Sequence, residues 1–287
     1  MGQLLAVTVN GLAFGMLLFI LASGLTLIFG LARYVNLAHG GVYLLTAYLA
    51  IETYTRTGSY WAAAGMALGS AAALGALLYA LFVRGRAWLR ANPLPQVLLS
   101  FGIIYVISDL MQARYQGLAQ SLPLPDLIAG SVTVLGTTVT EYRIVLVAAG
   151  ILVAIFLWLL LSRTSFGSAV RAGVDDHEML SAVGRNPELL FAAVFAIGFA
   201  LIGVSGLLGS AFIGASPGVE YTIILYTLPI IVVGGMGSLP GAFFASILVG
   251  IGDSIGKAYF PEFSLFLIFA IVVLTLAVRP EGLVRNA

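Results

Sequence analysis

The chain contains no cysteine, a single lysine and only two histidines. The lack of cysteine excludes a disulfide framework and thiol chemistry. The one lysine, Lys257, follows Gly256, but Ile251 stands where a phosphate-binding loop needs its first glycine and Ala258 where it needs Ser or Thr. That excludes ATP binding by a Walker A loop. His39 and His177 are far apart and match no metal-ligand spacing, and no G-x-S-x-G occurs. Asp175 and Asp176 are adjacent, but neighbours in a helix point about 100° apart, so they do not form one acid–base pair. No metal site and no enzyme is expected. Charge is scarce too. Only 9% of residues are charged and 61% are hydrophobic, against roughly a quarter charged in soluble domains. Such a chain cannot cover a solvated surface, and it is expected to be an integral membrane protein in contact with lipid. A net charge of +1 with no basic run gives no footprint for nucleic acid.

What is present is apolar sequence in long windows. A helix crossing about 30 Å of hydrocarbon needs roughly 17–25 residues. The sequence predicts an all-α polytopic fold of about eight to ten transmembrane helices. Nine are placed, at 5–31, 37–55, 60–83, 95–112, 143–162, 188–213, 221–236, 240–257 and 264–279. The fourth and seventh are short or interrupted, and a re-entrant or broken helix is an alternative at each. The apolar run 4–32 is longer than a signal-peptide core and lacks a basic leader, so a first span is expected there, not a cleavable signal. With nine spans and the N-terminus outside, Arg33, Arg84, Arg86, Arg90, Arg163, Arg171, Arg185, Arg279 and Arg285 fall inside. Arg56, Arg114, Arg143 and Lys257 fall outside. That asymmetry follows the positive-inside rule and places the C-terminus in the cytoplasm. A single domain over 1–287 is expected, with an external segment at about 114–141 and a cytoplasmic loop at about 163–187.

Gly11/Gly15, Gly65/Gly69, Gly237/Gly241 and Gly252/Gly256 fit the small-xxx-small spacing of closely packed helices. The ionisable residues nearest mid-span, Glu52, Asp109 and Asp253, all lie toward span ends, and no proton relay is visible. The pathway is therefore expected to be apolar, which suits either a conduit whose substrate is selected elsewhere or a substrate that is itself largely apolar.

Three stretches interrupt the apolar pattern. In "NLAHGG", Asn36–Gly41, Asn36 can cap a helix, His39 can satisfy a backbone carbonyl and Gly40–Gly41 can let the backbone break. The alternative is that Asn36, His39, Gly40 and Gly41 line the pathway. In "GGMGSLPG", Gly234–Gly241, Gly234, Gly235, Gly237, Pro240 and Gly241 form a tight connection between spans, or a hinge. The third stretch, "RAGVDDHEMLSAVGRNPEL" from Arg171 to Leu189, is charged amid apolar sequence. A helix beginning near Val174 would hold Asp175, Asp176 and Glu178 in its first turns, where the helix dipole favours anions. Met179, Leu180 and Val183 would form an apolar face, Gly184 would permit a left-handed helix end, and Pro187 would open the next helix.

These stretches, with "GLTLIFGLARYVNLAHGGVYLLTAYLA" (24–50) and "VVGGMGSLPGAFFASILVGI" (232–251), resemble the LivH-type permeases of branched-chain amino acid ABC importers. The N-[LF]-A-H-G and G-G-x-G-S-x-P-G elements carry the match. The resemblance implies a bacterial or archaeal cytoplasmic (inner) membrane importer. Its partners would be a homologous LivM-type permease, two ATPase subunits of the LivG and LivF type, and a soluble substrate-binding protein. This chain would bind no cofactor itself, and ATP and Mg would sit on the ATPases. The charged stretch then resembles the coupling loop of such importers, with Arg171, Asp175, Asp176, Glu178, Met179, Leu180, Val183 and Gly184 as the ATPase-coupling residues. Ala172–Asp175 departs from the usual family pattern by an extra glycine. Leucine, isoleucine and valine are the implied substrates. Urea, amides or small aromatic acids are alternatives within the family, and a stand-alone secondary transporter or channel is an alternative outside it.

Overall fold

The computed structural model describes residues 2–32, 34–86, 88–89, 92–126, 128–134, 137–175 and 186–284, with backbone alone at 31, 134, 174 and 175. Ten α-helices dominate: α1 (Gly2–Ala32), α2 (His39–Thr57), α3 (Tyr60–Leu78), α4 (Pro93–Tyr115), α5 (Glu141–Arg163), α6 (Ser165–Asp175), α7 (Pro187–Phe212), α8 (Val219–Gly234), α9 (Leu239–Tyr259) and α10 (Ser264–Val278). A π-helical turn, Tyr79–Val83, continues α3, and a 3₁₀ turn, Pro261–Phe263, precedes α10. Two strands, β1 (Ser131–Val134) and β2 (Thr137–Thr140), form an antiparallel hairpin that pairs Ser131 with Thr140.

A helix stands at each of the nine expected spans. Seven are long and apolar enough to cross a bilayer by themselves, and the chain is a multi-pass membrane protein. The other two are α2, which carries Glu52 and Arg56, and α8, of 16 residues with Pro229 inside. The fourth expected span is one unbroken helix of 23 residues. Its start uses proline: Pro93 stands at the first helical position, where the missing N–H costs nothing. The hairpin in the segment 114–141 was not expected. Its alternating Thr and Val form a β pattern too short to stand out from the surrounding Pro, Gly and Ser.

The helix expected to begin near Val174 lies almost wholly at 176–185, outside the described residues. Ahead of it stands α6, which begins at Ser165 and holds Val174 and Asp175 in its last described turn. Phe166, Gly167, Ala169, Val170 and Gly173 turn inward while Ser165, Ser168 and Arg171 are exposed. That is the i, i+3, i+4, i+7 spacing of a helix with one apolar face, a pattern masked in the sequence by the polar residues around it. The turn from α5 into α6 is sharp. A Cβ on Gly167 would lie 2.0 Å from the Leu161 carbonyl oxygen. The guanidinium of Arg171 donates to that same carbonyl.

The chain divides into two compact units. The larger comprises 24–122 and 155–224, and within it α2, α3 and α7 pack closely together. Their contacts, and that of the end of α1 with α7, run through small residues. A Cβ on Gly24 would lie 2.3 Å from the Gly198 carbonyl oxygen, one on Gly203 2.5 Å from that of Ala67, and one on Gly206 2.1 Å from Thr46 Oγ1. Ala50, Ala63 and Ala67 form a buried cluster flanked by Tyr54 and Leu207. The second unit comprises 1–23, 123–154 and 225–287. In it Gly11 and Gly15 meet the backbone of α9 at Ile251 and Ser246, where an added Cβ would come within 2.7 Å of each. Ser254 Oγ donates to the Val7 carbonyl at 2.7 Å. Near the end of α9, Asp253 accepts from Tyr226 at 2.6 Å and pairs with Lys257 at 2.8 Å.

The glycines of the expected packing pairs are not equivalent. Gly11 and Gly15 are in backbone contact, whereas nothing lies within 4 Å of a Cβ placed on Gly65 or Gly69. Overpacking a tight contact costs roughly 1–3 kcal/mol, while Gly→Ala in an open helical position gains roughly 0.5–1 kcal/mol. Gly24→Val is therefore expected to lower the thermal unfolding temperature of the detergent-solubilised protein, and Gly65→Ala to leave it unchanged or raise it. Equal effects in a thermal-shift measurement would contradict this packing.

Candidate functional site

The segment between α1 and α2 is extended, and side chains hold its shape. Gln96, buried on α4, accepts from the Val35 N–H at 2.8 Å and donates to the Leu89 carbonyl at 2.8 Å. Asn36 Oδ1 accepts from the Ala38 N–H at 3.1 Å. This closes an Asx turn one residue before α2. The helix itself starts at His39, and Ala38 at its cap makes no side-chain bond. His39 is fully buried, and its Nδ1 lies 3.0 Å from the Asn36 carbonyl oxygen, to which it donates. The carbonyl bond expected of His39 is present, whereas Asn36 closes a turn ahead of α2 and does not cap that helix.

Gly40 and Gly41 do not break the backbone, since both lie inside α2. They allow close approach instead. A Cβ on Gly40 would lie 2.4 Å from the Glu220 carbonyl oxygen, and one on Gly41 3.2 Å from Ile104 Cα. Leu37, Ile104 and Ile224 pack together beside them. Glu220 is itself fully buried. Its carboxylate accepts from Ser108 Oγ at 2.6 Å and from the Gly218 N–H at 2.8 Å. These two donors satisfy a charge that would otherwise be costly inside the bundle.

Beside the Asx turn lies a narrow crevice with Tyr34, Asn36, Phe82, Phe195 and Phe199 among its walls. Its volume of about 10 Å³ is about that of one water probe. Asn36 Nδ2, on this wall, is buried and without a hydrogen-bond partner. Tyr34 packs edge-on against Phe195 at 5.8 Å. Burial pushes its hydroxyl up to about 12, so it stays neutral and can donate. The wall consists of aromatic and aliphatic side chains with one amide and one hydroxyl.

The Gly234–Gly241 stretch is a tight turn between α8 and α9. Gly235 and Gly237 have φ of 94° and 85°, in the left-handed region. Ser238 caps α9 by accepting from the Gly241 N–H at 3.2 Å, and Pro240 lies in the first turn of α9. The helices meet backbone to backbone, since a Cβ on Gly241 would fall 1.8 Å from the Gly234 carbonyl oxygen. The C-terminal segment closes over this turn through a bond of 2.7 Å from the Leu283 N–H to the Val233 carbonyl. So many backbone contacts make this a fixed joint.

Of the coupling residues, Arg171 is exposed on α6 and Asp175 ends the described part of that helix. Asp176, Glu178, Met179, Leu180, Val183 and Gly184 lie outside the described residues. Beyond them, Asn186 caps α7 by accepting from the N–H groups of Glu188 and Leu189, and Pro187 opens that helix as its position predicts. Arg84 reaches Glu188 at 2.8 Å and ties the end of the π turn to the start of α7.

Sequence reasoning missed Gln96, Glu220 and the partnership of Glu52 with Arg114. Each joins residues about 60 to 110 positions apart, and no local spacing marks such a pair.

The fixed joint is open to a direct test. Gly241→Ala is expected to cost more stability than Gly237→Ala, because the first meets a backbone oxygen while the second adds a strained φ worth roughly 1–2 kcal/mol. Thermal unfolding of the two variants measures this, and a Gly241→Ala protein as stable as the wild type would contradict the contact.

The profile of the branched-chain amino acid transport system permease component family matches residues 7–276. The chain is 27% identical to the BraD permease protein of a high-affinity branched-chain amino acid transport system of Pseudomonas aeruginosa, over 96% of this chain and 94% of that one. It is 26% identical to LivH of Escherichia coli K12, over 96% and 93%. LivM of the same organism is 28% identical over 96% of this chain and 69% of that one. Among solved structures, PsaBC from Streptococcus pneumoniae in complex with Fab shares the fold, with a TM-score of 0.52 at 12% identity over 95% of this chain and 91% of that one. A match along nearly the whole length, on a bundle of membrane-spanning helices, places this chain in the branched-chain amino acid transport system permease component family.

Proposed function

We propose that the chain is one permease subunit of an ABC importer for branched-chain amino acids in the cytoplasmic membrane of a bacterium or archaeon. The observation that carries this reading is the likeness, over 96% of the chain, to permease proteins of both the LivH and the LivM kind. It favours branched-chain amino acids over urea, amides or aromatic acids, and a subunit over a stand-alone transporter. The chain forms half of an alternating-access pathway with a homologous permease. The N-terminus is outside and the C-terminus inside. A soluble binding protein delivers substrate, and two ATPase subunits carry ATP and Mg.

In this reading the cytoplasmic stretch from Arg171 to Gly184 docks in a groove of an ATPase. ATP binding draws the ATPases together, and the bundle reopens toward the other side. The sharp α5–α6 turn suits that role, because Gly167 against Leu161 ties the stretch to the end of a span. The side chains of Asn36 and Tyr34 offer the pathway a small amount of polarity. Selection of the substrate rests mainly with the binding protein.

Gly184 stands between the apolar residues Met179–Val183 and Pro187. If it ends a helix in the left-handed region, a β-branched side chain there costs 1 kcal/mol or more, on the order of the left-handed penalty. Gly184→Val is expected to leave expression and insertion near normal, because the spans do not contain it. It is expected to weaken ATPase docking and abolish the stimulation of ATP hydrolysis by loaded binding protein. The assay compares ATPase activity of the purified complex with and without that protein, alongside subunit stoichiometry. Normal stimulation in a fully assembled Gly184→Val complex would overturn the coupling role.

A further inference from the structure

The ends of α2 and α4 and the strap of residues 116–122 line a second concave feature, distinct from the crevice at Asn36. It is an open groove of about 530 Å³ with Glu52, Arg56, Arg114, Tyr115, Gln120 and Ser121 on its wall. One carboxylate there faces two guanidinium groups, so one positive charge is left over. Glu52 Oε1 accepts from Arg114 at 2.9 Å and from Arg56, and its Oε2 accepts from the Tyr115 hydroxyl. The frame beneath is stiff. Tyr115 stacks on Tyr48 at 4.3 Å, and the Tyr48 hydroxyl donates to the Leu118 carbonyl at 3.0 Å. Gln120 and Ala215 exchange two backbone bonds of 2.8 Å, and the Leu122 N–H donates to the Ser210 carbonyl at 3.2 Å.

Glu52 therefore holds both arginines in place without covering them, since their side chains remain 69% and 58% exposed. A guanidinium carries five donors in a planar fork, and each of these spends only part of its fork on Glu52. Free donors with a net positive charge in an open groove on a stiff frame suit a carboxylate. The volume lies in the range of roughly 300–1,000 Å³ typical of small-ligand sites. Ile51 adds a small apolar edge to the wall, since only 5% of it is exposed. Ser121 Oγ donates to the Ser210 carbonyl at 3.3 Å and so keeps lone pairs for an ammonium group.

We propose that this groove is a receiving site for a free amino acid, with Arg114 and Arg56 holding its α-carboxylate. The proposal deepens the permease reading and rests on it, since the site would accept substrate at the outer mouth before the pathway proper. A concave wall with neutral polar groups and a small apolar edge favours a small zwitterion over the acidic face of a docking protein.

The test uses the assembled permease–ATPase complex in lipid nanodiscs, without binding protein. Leucine and leucinamide are titrated at millimolar concentrations, with binding read by saturation-transfer NMR. Leucine is expected to saturate, and leucinamide, which lacks the carboxylate, is not. Losing a charge-assisted pair costs roughly tenfold in affinity. Arg114→Gln is expected to weaken leucine binding by about that factor, Arg56→Gln to weaken it as well, and Arg114→Lys to restore part of it. Equal binding of leucine and leucinamide to the wild type would overturn the proposal whatever the variants do. So would unchanged leucine binding in Arg114→Gln, including the case where that variant weakens only the docking of the binding protein, which would assign the surface to that partner. Stimulation of the wild-type ATPase by loaded binding protein reports separately on the permease reading, so either idea can fail without the other.

Discussion

Close backbone contact is the constraint on which the bundle depends. In hydrocarbon, two apolar helices gain little by leaving lipid for one another, so association rests on van der Waals fit and on polar contacts. The chain meets this with glycine at the crossing points. Gly24 and Gly198 let α1 and α7 touch in the larger unit, while Gly11 and Gly15 do the same for α1 and α9 in the other. The same device shapes the motifs. Gly40 and Gly41 bring α2 against Glu220 and Ile104, and Gly234 with Gly241 joins α8 to α9 with no side chain between them. What looks in the sequence like places for the chain to bend are places where it fits tightly.

The few charges follow from the same solvent. A buried carboxylate in an apolar bundle is tolerable only with partners in good geometry. Glu220 has a serine hydroxyl and a backbone N–H. Asp253 has Tyr226 and Lys257, and the Lys257 ammonium also lies over the rings of Phe14 and Tyr226 at 5.2 and 5.8 Å. Glu52, nearer the surface, has two arginines and a tyrosine. Each of the three acids is thus held by named donors, and Glu220 sits in the first turn of its helix. The crevice at Asn36 differs, since its amide N–H₂ is buried without a partner beside aromatic walls.

Much of this was legible in the sequence because a bilayer imposes a simple rule of length and apolarity. Helices occur at all nine expected spans, and the role of Pro187 at the start of α7 followed from its fixed φ and missing N–H. The bond of His39 to a backbone carbonyl followed from its ring N–H, whereas Asn36 forms a turn where a helix cap was expected. Two kinds of feature were not legible. Helix α6 was hidden because its apolar face of Phe166, Ala169, Val170 and Gly173 is interleaved with polar residues. Long-range polar pairs such as Gln96 with Val35 and Glu52 with Arg114 leave no periodic trace, because only folding brings their members together. Gly40 and Gly41 show the limit of reading glycine alone: flexibility and close approach use the same residue, and only the neighbouring backbone tells them apart.

The central claim is that this chain supplies a pathway and a coupling surface but no energy and no independent transport. Uptake of radiolabelled leucine into proteoliposomes measures this most directly. Vesicles containing this chain alone are compared with vesicles containing the full importer, with ATP on the side of the ATPase subunits and loaded binding protein on the other. The account predicts uptake only by the full importer and only with ATP. Concentrative uptake by this chain alone, driven by an ion gradient, would contradict it.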